Sequence, residues 1–502
     1  VIKVLTSEQV LKADAVTITR EPVSSIGLME RAATACCNYL EQHLPAGVPV
    51  SFVCGKGNNG GDGLAIARLL WKKGKSITVW ITEDTGKSSE DFTINLRRLQ
   101  EETGVPVQLQ AEHSNPGFPE NGCIVEAIFG TGLNREPEGK AAEMIRAINA
   151  STSRVIAIDI PAGLYSDKAT PMTNTIIRAN TTLVFQVPRP CFLYAEYEPF
   201  IGDFQILDIK LDPEFIADAP AFGFIPTQDV ISSLLPYRPR FGHKGTFGHA
   251  LLLAGSKGKT GAAMLAAGAA LRSGAALVTV RCPQCCTLPL QTAVPEAMCI
   301  EDGGENHLEE PVKSGPFSAI GIGPGIGTAR ETGNVLKRAI QDFDIPLVLD
   351  ADALNLLSEN PTWLNFLPAG SILTPHPGEF ARLCGKVSDP FTRTQQQLDF
   401  AKRYNVYLVL KGKFTAIACP DGQLFFNPTG NHGMAKGGAG DMLTGLLTGL
   451  LAQGLAPMKT ALLGVYVHGL AGDLCLNEIS AYGMKTGDLI DYLPSAWRLL
   501  EE

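Results

Sequence analysis

Long apolar runs are missing from this chain of 502 residues. Its longest small-apolar stretch, Ala262 to Leu271, is cut by Arg272, well short of the ~20 residues that a membrane span needs. The first residues, Val1-Ile2-Lys3-Val4-Leu5, lack the charged region, apolar core and small-residue cleavage site of a secretory leader. A cytoplasmic location and no membrane partner are therefore expected. Basic charge is in deficit: 42 Lys and Arg face 51 Asp and Glu, a net charge of −9. That balance disfavours a protein that grips nucleic acid through a basic surface. Cysteine is sparse, 12 residues, most of them inside apolar strings such as those around Cys54, Cys123 and Cys419, as suits reduced, buried thiols. The one ligand-like spacing, Cys282-x-x-Cys285-Cys286, has only Cys299 near it in sequence, and a zinc site needs a second pair or suitably spaced histidines. Apolar residues are not scarce: at 45% they exclude a disordered chain. The length suggests about two to three domains.

What the chain has in excess is glycine, 52 residues, about 10% against a usual ~7%. Their positions follow an alternation of strand and helix patterns. Thr6 and Gln9 form a capping-box pair that opens a helix to about Thr19. Strands are expected at 50–54, 76–81, 123–129, 154–160 and 181–186, with a helix over 64–73 stopped by Gly74. The pattern lapses over Leu211–Thr227, where three prolines and no clear period mark a linker. A second series follows, with strands at 249–253, 276–280, 318–322, 347–350, 372–374 and 406–410. It closes with a hairpin on Asp421-Gly422, read as a type I′ turn, and helices over 441–452 and 459–474. Apolar strands separated by helices indicate parallel sheets covered on both faces. The fold class is thus α/β, with two domains, 1–215 and 225–502.

The glycines cluster at strand ends. Gly55-Lys56-Gly57-Asn58-Asn59-Gly60-Gly61-Asp62-Gly63 contains a formal G-x-G-x-x-G, with Glu83 about twenty residues on, which makes a dinucleotide site and a dehydrogenase one reading. Two amides and a carboxylate where a Rossmann turn needs small residues count against it. Gly130-Thr131-Gly132-Leu133 follows a strand that carries Glu126, and Asp159-Ile160-Pro161-Ala162 follows another. In a doubly wound sheet these loops converge on one crevice, where Asp159 is a candidate acid or base. Lys257-Gly258-Lys259-Thr260 is not a Walker A loop, because position 253 is leucine. Further on, Gly321–Gly327, Asp350–Asn355, Thr374–Phe380 (with His376 between two prolines) and Lys411–Thr415 also follow strands. Lys436-Gly437-Gly438-Ala439-Gly440-Asp441 leads into a helix. Its N–H groups can hold a phosphoryl oxygen while Asp441 takes a hydroxyl proton.

In their order and combination these motifs resemble the bifunctional NAD(P)H-hydrate repair enzymes, in which an epimerase domain precedes an ADP-dependent dehydratase domain. The resemblance rests on Met29-Glu30-Arg31-Ala32, Gly57–Gly63, Gly130–Leu133 and Asp159-Ile160-Pro161, then on Gly323-Pro324-Gly325, Asp350–Asn355, Thr374–Glu379 and Gly437–Asp441. It implies a Rossmann-like N-terminal domain and a ribokinase-like C-terminal one. It also implies that Asn58, Asn59, Gly60, Gly61, Asp62, Gly130, Thr131, Gly132, Leu133, Asn134, Arg135, Glu136 and Asp159 hold hydrated NADH or NADPH, with Asp159 as acid/base. Potassium would sit at Asn59, Glu126 and Ala162. In the second domain Ala262, Gly323, His376 and Asp441 would contact the hydrate, with Asp441 working at the reacting hydroxyl. Lys411, Gly412, Lys413, Phe414, Thr415 and Gly440 would contact ADP, or ATP in its place, with Mg²⁺. The partners implied are these small nucleotides and, in a homo-oligomer, further copies of the chain. Asp is usual in the family at position 126, Ser at 162 and 439, and Thr at 436. A ribokinase-type small-molecule kinase, an NAD-dependent dehydrogenase and a non-catalytic nucleotide sensor are the rival readings.

Overall fold

The computed structural model describes residues 1–82, 87–110, 116–313 and 315–502. Glu83, the acidic end of the dinucleotide fingerprint, lies outside them. The chain forms two compact units, Lys3–Gly223 and Phe224–Glu502 together with Val1–Ile2. The break falls inside the proline-bearing segment, which itself carries a short helix, Pro213–Asp218, and a strand, Gly223–Ile225. Among the described residues no helix is long and apolar enough to cross a membrane.

The N-terminal unit is built on a seven-stranded sheet. Its order is Val107–Leu109, Ile77–Ile81, Val50–Cys54, Cys123–Ala127, Arg154–Ile158, Thr181–Phe185, Asp203–Leu207, and every pairing is parallel. Chain direction across the sheet reverses between Val50–Cys54 and Cys123–Ala127. That is the switch point where a doubly wound sheet opens a crevice at its strand ends. Strand side chains alternate between two cores: Phe52, Val79, Val125 and Ile156 face one, and Val53, Trp80, Ile124 and Ala157 the other. This two-sided burial is why the strands read as continuous apolar runs rather than as alternation.

In the C-terminal unit the strands run in the order Gly223–Ile225, Leu424–Phe426, Ala416–Ala418, Tyr407–Leu410, Ile372–Leu373, Leu347–Leu349, Ala319–Ile322, His249–Leu253, Leu277–Cys282, Met298–Glu301. They are parallel except around the hairpin strands Ala416–Ala418 and Leu424–Phe426. The hairpin turn is not type I′. Gly422 has φ +90°, but Asp421 is not among the residues with positive φ, and Gly422 N donates to Cys419 O at 3.0 Å. A turn followed by a left-handed glycine, the longer-loop solution, joins these strands. The helix Ala439–Ala452 lies buried along almost its whole length and packs on Thr260–Arg272. Thr486–Glu501, an amphipathic helix beyond those expected from the sequence pattern, covers the same core.

Two candidate active sites

At the N-terminal switch point the main departure from expectation concerns the glycine-rich segment. It is helix rather than loop over most of its length: the helix runs Asn58–Lys72, not from Leu64. Two of its glycines are required by packing. A Cβ on Gly60 would sit 1.8 Å from the Gly55 carbonyl oxygen, and one on Gly63 2.8 Å from both Cys54 Sγ and Ala127 Cβ. With Gly57 as a cap that offers no side-chain acceptor, the N–H groups of the first turn are left for a ligand.

Asp159 ends the strand Arg154–Ile158 with φ +64°, a left-handed conformation that a non-glycine residue adopts where surroundings impose it. Arg189, 1% exposed, donates from Nη2 to Asp159 Oδ1 at 2.9 Å. The Thr131 amide donates to Oδ2 at 3.2 Å. Arg189 carries no signal in the sequence, since an Arg-Pro in a loop has no period to follow. A cavity of about 710 Å³ opens here, and Asn58, Asn59, Asp62, Gly130 to Arg135 and Asp159 line it. Gly60 and Gly61 are buried within the helix instead, and Glu136 is exposed and accepts from Thr175 N at 3.1 Å. Burial, then the carboxylates of Asp159, Asp14 and Asp91, push Asp62 well above the usual carboxylate range.

Beneath the cavity Glu126 is fully buried, and its two carboxylate oxygens accept from Ile128 N at 2.7 Å and Ala162 N at 3.1 Å. Burial raises it to about 8 against these backbone donors. Asn59 Nδ2 donates to the carbonyls of Phe129 at 3.0 Å and Ile158 at 3.3 Å, while its Oδ1 is buried and has no partner among the described residues.

The C-terminal site gathers at the strand ends Ala319–Ile322 and Leu347–Leu349 and at the start of Ala439–Ala452. Gly323 has φ +137°, and a Cβ there would stand 1.8 Å from the Asp350 carbonyl oxygen, so no side chain fits. Asp350, 1% exposed, accepts from Lys411 Nζ at 2.7 Å and from Thr444 Oγ1 at 2.9 Å. Asp352 accepts from Lys259 Nζ at 3.1 Å and Gly327 N at 2.8 Å. Gly438, with φ +94°, turns the chain into the helix. A Cβ on Gly440 would meet Lys411 Nζ at 3.0 Å and Asp350 Oδ2 at 3.2 Å. Asp441 stands one residue further on. Burial and the neighbouring Asp350 raise it to about 6, opposed by Lys411. His468, partly buried and lowered to about 4 chiefly by desolvation, faces the Ala439 carbonyl through Nε2 at 3.0 Å. It is neutral there, and it holds the helix start.

The remaining candidate residues differ in setting. Ala262 lies near Gly325, whose Cβ would be 3.0 Å from its own. His376 caps the helix Pro377–Cys384, Nδ1 accepting from Gly378 N at 3.0 Å, with 52% of its side chain exposed. In the segment Lys411–Thr415, Thr415 Oγ1 donates to Gly412 O at 2.9 Å, Lys413 donates to Gly430 O, and its ammonium lies 5.9 Å from the Phe414 ring centroid. Lys436 turns away from the glycines and donates to the carbonyls of Tyr482 (3.0 Å) and Met484.

Two α/β units with glycine-lined, carboxylate-bearing strand ends define a two-site nucleotide-handling protein. Residues 25–191 match the family described as YjeF-related protein N-terminus, and residues 250–495 the family described as NAD(P)H-hydrate dehydratase. The chain is 34% identical to the bifunctional NAD(P)H-hydrate repair enzyme Nnr of Moorella thermoacetica, over 99% of this chain and 97% of that one. It is 32% identical to the Escherichia coli protein of the same name, over 93% and 88%. The ADP/ATP-dependent NAD(P)H-hydrate dehydratase of Bacillus subtilis, crystallised with ATP and Mg²⁺, is 34% identical, covers 56% of this chain and 99% of its own, and superposes with a TM-score of 0.47. The chain belongs to the bifunctional NAD(P)H-hydrate repair enzymes.

Proposed function

We propose that the N-terminal unit interconverts the R and S forms of hydrated NADH and NADPH, and that the C-terminal unit dehydrates the S form at the expense of ADP. The observation that carries this reading is the convergence of the family's motifs on two separate sites, each centred on one carboxylate. Asp159 is ion-paired with Arg189 and accepts from the Thr131 amide. Asp441 is raised to about 6, a value suited to taking a proton near neutrality.

In the dehydration, Asp441 removes the proton of the C6 hydroxyl, and that oxygen attacks the β-phosphorus of ADP. The P–O bond to AMP breaks, with Lys411 and the N–H groups at the start of Ala439–Ala452 facing the charge that develops. Phosphate then departs from C6 with its bonding pair, C5 loses a proton, and the C5=C6 double bond of the dihydronicotinamide is restored. Phosphate leaves where hydroxide would not. Mg²⁺ bound with the nucleotide would neutralise phosphate charge. Ala262, Gly323 and the exposed edge of His376 are assigned to the hydrate; Lys411 to Thr415 and Gly440 are assigned to the adenine nucleotide, with ATP the alternative donor.

A potassium ion is assigned to Asn59, Glu126 and Ala162. The orphaned Asn59 Oδ1 and a buried carboxylate make an oxygen-only donor set that fits a hard cation. Ala162 has no hydroxyl, and its carbonyl, which accepts from Ile177 N at 2.9 Å, would offer its second lone pair beside Asn59 and Glu126. The ion's charge would offset that of the bound phosphates. A cytoplasmic homo-oligomer is the family expectation carried to this chain, and light scattering reads its mass.

The test is a pair of variants of the full chain. Asp441→Asn should abolish ADP-dependent dehydration and spare R/S exchange; Asp159→Asn should do the reverse. Near-normal dehydration by Asp441→Asn would overturn the assignment.

A further inference from the structure

We propose that Asp14 is a second proton-transfer group of the N-terminal cavity, acting opposite Asp159 in R/S exchange. The proposal rests on the reading of this cavity as the epimerase site. Exchange at C6 needs two proton movements. A base takes the hydroxyl proton, the O–H pair forms C6=O, and the C6–N1 bond breaks with its pair on N1, where a proton must arrive. Rotation about C5–C6 presents the other face of the aldehyde, and the reverse steps close the ring with C6 inverted. One proton leaves oxygen, one reaches nitrogen, and nothing is oxidised.

Asp159 can serve as only one of the two groups. Both its oxygens accept hydrogen bonds, one of them from the Arg189 guanidinium, and an ion-paired carboxylate is a base, not an acid. The acid must come from elsewhere on the cavity wall. That wall includes the helix Ser7–Arg20, from which Val10, Asp14 and Ile18 project four residues apart along one face. Asp14 is therefore a carboxyl set between two apolar side chains on the lining. Among the described residues no hydrogen bond or ion pair engages it. The charged and titratable groups that act on it are Arg189, Asp159 and Asp62, with Lys56, Lys87, Asp91 and Arg135 also on the lining. A lysine ammonium is ordinarily a far weaker acid than a carboxyl, and the other rivals are committed. Asp91 accepts from Ser25 Oγ at 2.5 Å, arginine does not release its proton, and burial and acidic neighbours raise Asp62 well above the usual carboxylate range, against release of a proton. Asp14 lies between: burial raises it to about 6, with Arg189 opposing and Asp159 adding to the rise. Near neutrality it both releases and regains a proton.

The experiment follows interconversion of the separated R and S hydrates of NADH by the full chain without ADP, for the wild type, Asp14→Asn, Asp14→Glu and Asp159→Asn. ADP-dependent dehydration of the S hydrate, at the other site, reports that each variant is folded. Asp14→Asn is expected to slow exchange by about 10²–10⁴-fold, the usual worth of a positioned acid or base, and Asp14→Glu to recover part of it. The wild-type exchange rate should fall as pH rises above about 6, and Asp14→Asn should lose that limb. Wild-type exchange by Asp14→Asn, or slower exchange with the limb intact, overturns the role of Asp14 provided Asp159→Asn is inactive. If Asp159→Asn also exchanges normally, the epimerase reading of the cavity is what fails.

Discussion

Arg189 and Asp441 show how a charged side chain's setting decides its chemistry. Arg189 is 1% exposed and spends one nitrogen on Asp159 and another on the Val187 carbonyl at 2.7 Å. Removing it strands a buried carboxylate, and breaking such a pair from one side costs about 3–5 kcal/mol. Arg189→Met should therefore lower the melting temperature of the N-terminal unit and abolish R/S exchange, read by calorimetry and by separation of the epimers. Asp441 is raised rather than lowered, so the sign of its pH effect is definite. As a base it works only when ionised. With the group at about 6, dehydration should be flat above neutrality and fall about tenfold per pH unit on the acid side. A kcat profile checks this. Of these groups, Asp159 and Asp441 were legible because each follows a glycine motif or a strand at a fixed offset. Arg189, Asp14 and His468 were not: each reaches its site from a distant element, through contacts that no local pattern encodes.

At the scale of elements, the helix Asn58–Lys72 separates local preference from tertiary demand. Glycine costs ~1 kcal/mol relative to alanine within a helix, so a segment with glycines at 57, 60, 61 and 63 reads as loop. The structure makes it helix because the backbone must lie against the strand ends, where a Cβ on Gly60 or Gly63 would collide. Two substitutions test this. Gly60→Ala puts its methyl 1.8 Å from a carbonyl oxygen and should destabilise the N-terminal unit by at least the ~1–3 kcal/mol of an overpacked core. A Cβ on Gly57 meets nothing within 4 Å, so Gly57→Ala should lower the urea midpoint only by the smaller cost of a poorer N-cap. Equal effects would contradict the packing argument. The strands expected from the sequence were legible to within one or two residues, because burial on both faces gives uninterrupted apolar runs; the partly exposed edge strands Val107–Leu109, Asp203–Leu207 and Met298–Glu301 give no such run and were missed. The hairpin's turn type was not, because Asp-Gly also serves a longer loop once the strand pairing at Ala418 and Leu424 is set.

For the whole molecule, the glycine excess and the acid balance belong together. A net charge of −9 disfavours a general anion-binding surface. On the proposed function, phosphate recognition would fall to backbone N–H groups at two helix starts, Asn58–Lys72 and Ala439–Ala452. The family was legible in the order of the motifs along the chain, since no single loop would have revealed it. The central claim is that one chain carries two complementary activities. It is tested most directly by giving the full-length protein pure R hydrate of NADH with ADP and Mg²⁺, and following NADH absorbance and phosphate release in the wild type and in Asp159→Asn. The wild type should recover the NADH with one phosphate released for each. Asp159→Asn should recover none beyond spontaneous epimerisation until the S form is supplied. Equal recovery from R hydrate by both proteins would contradict the account.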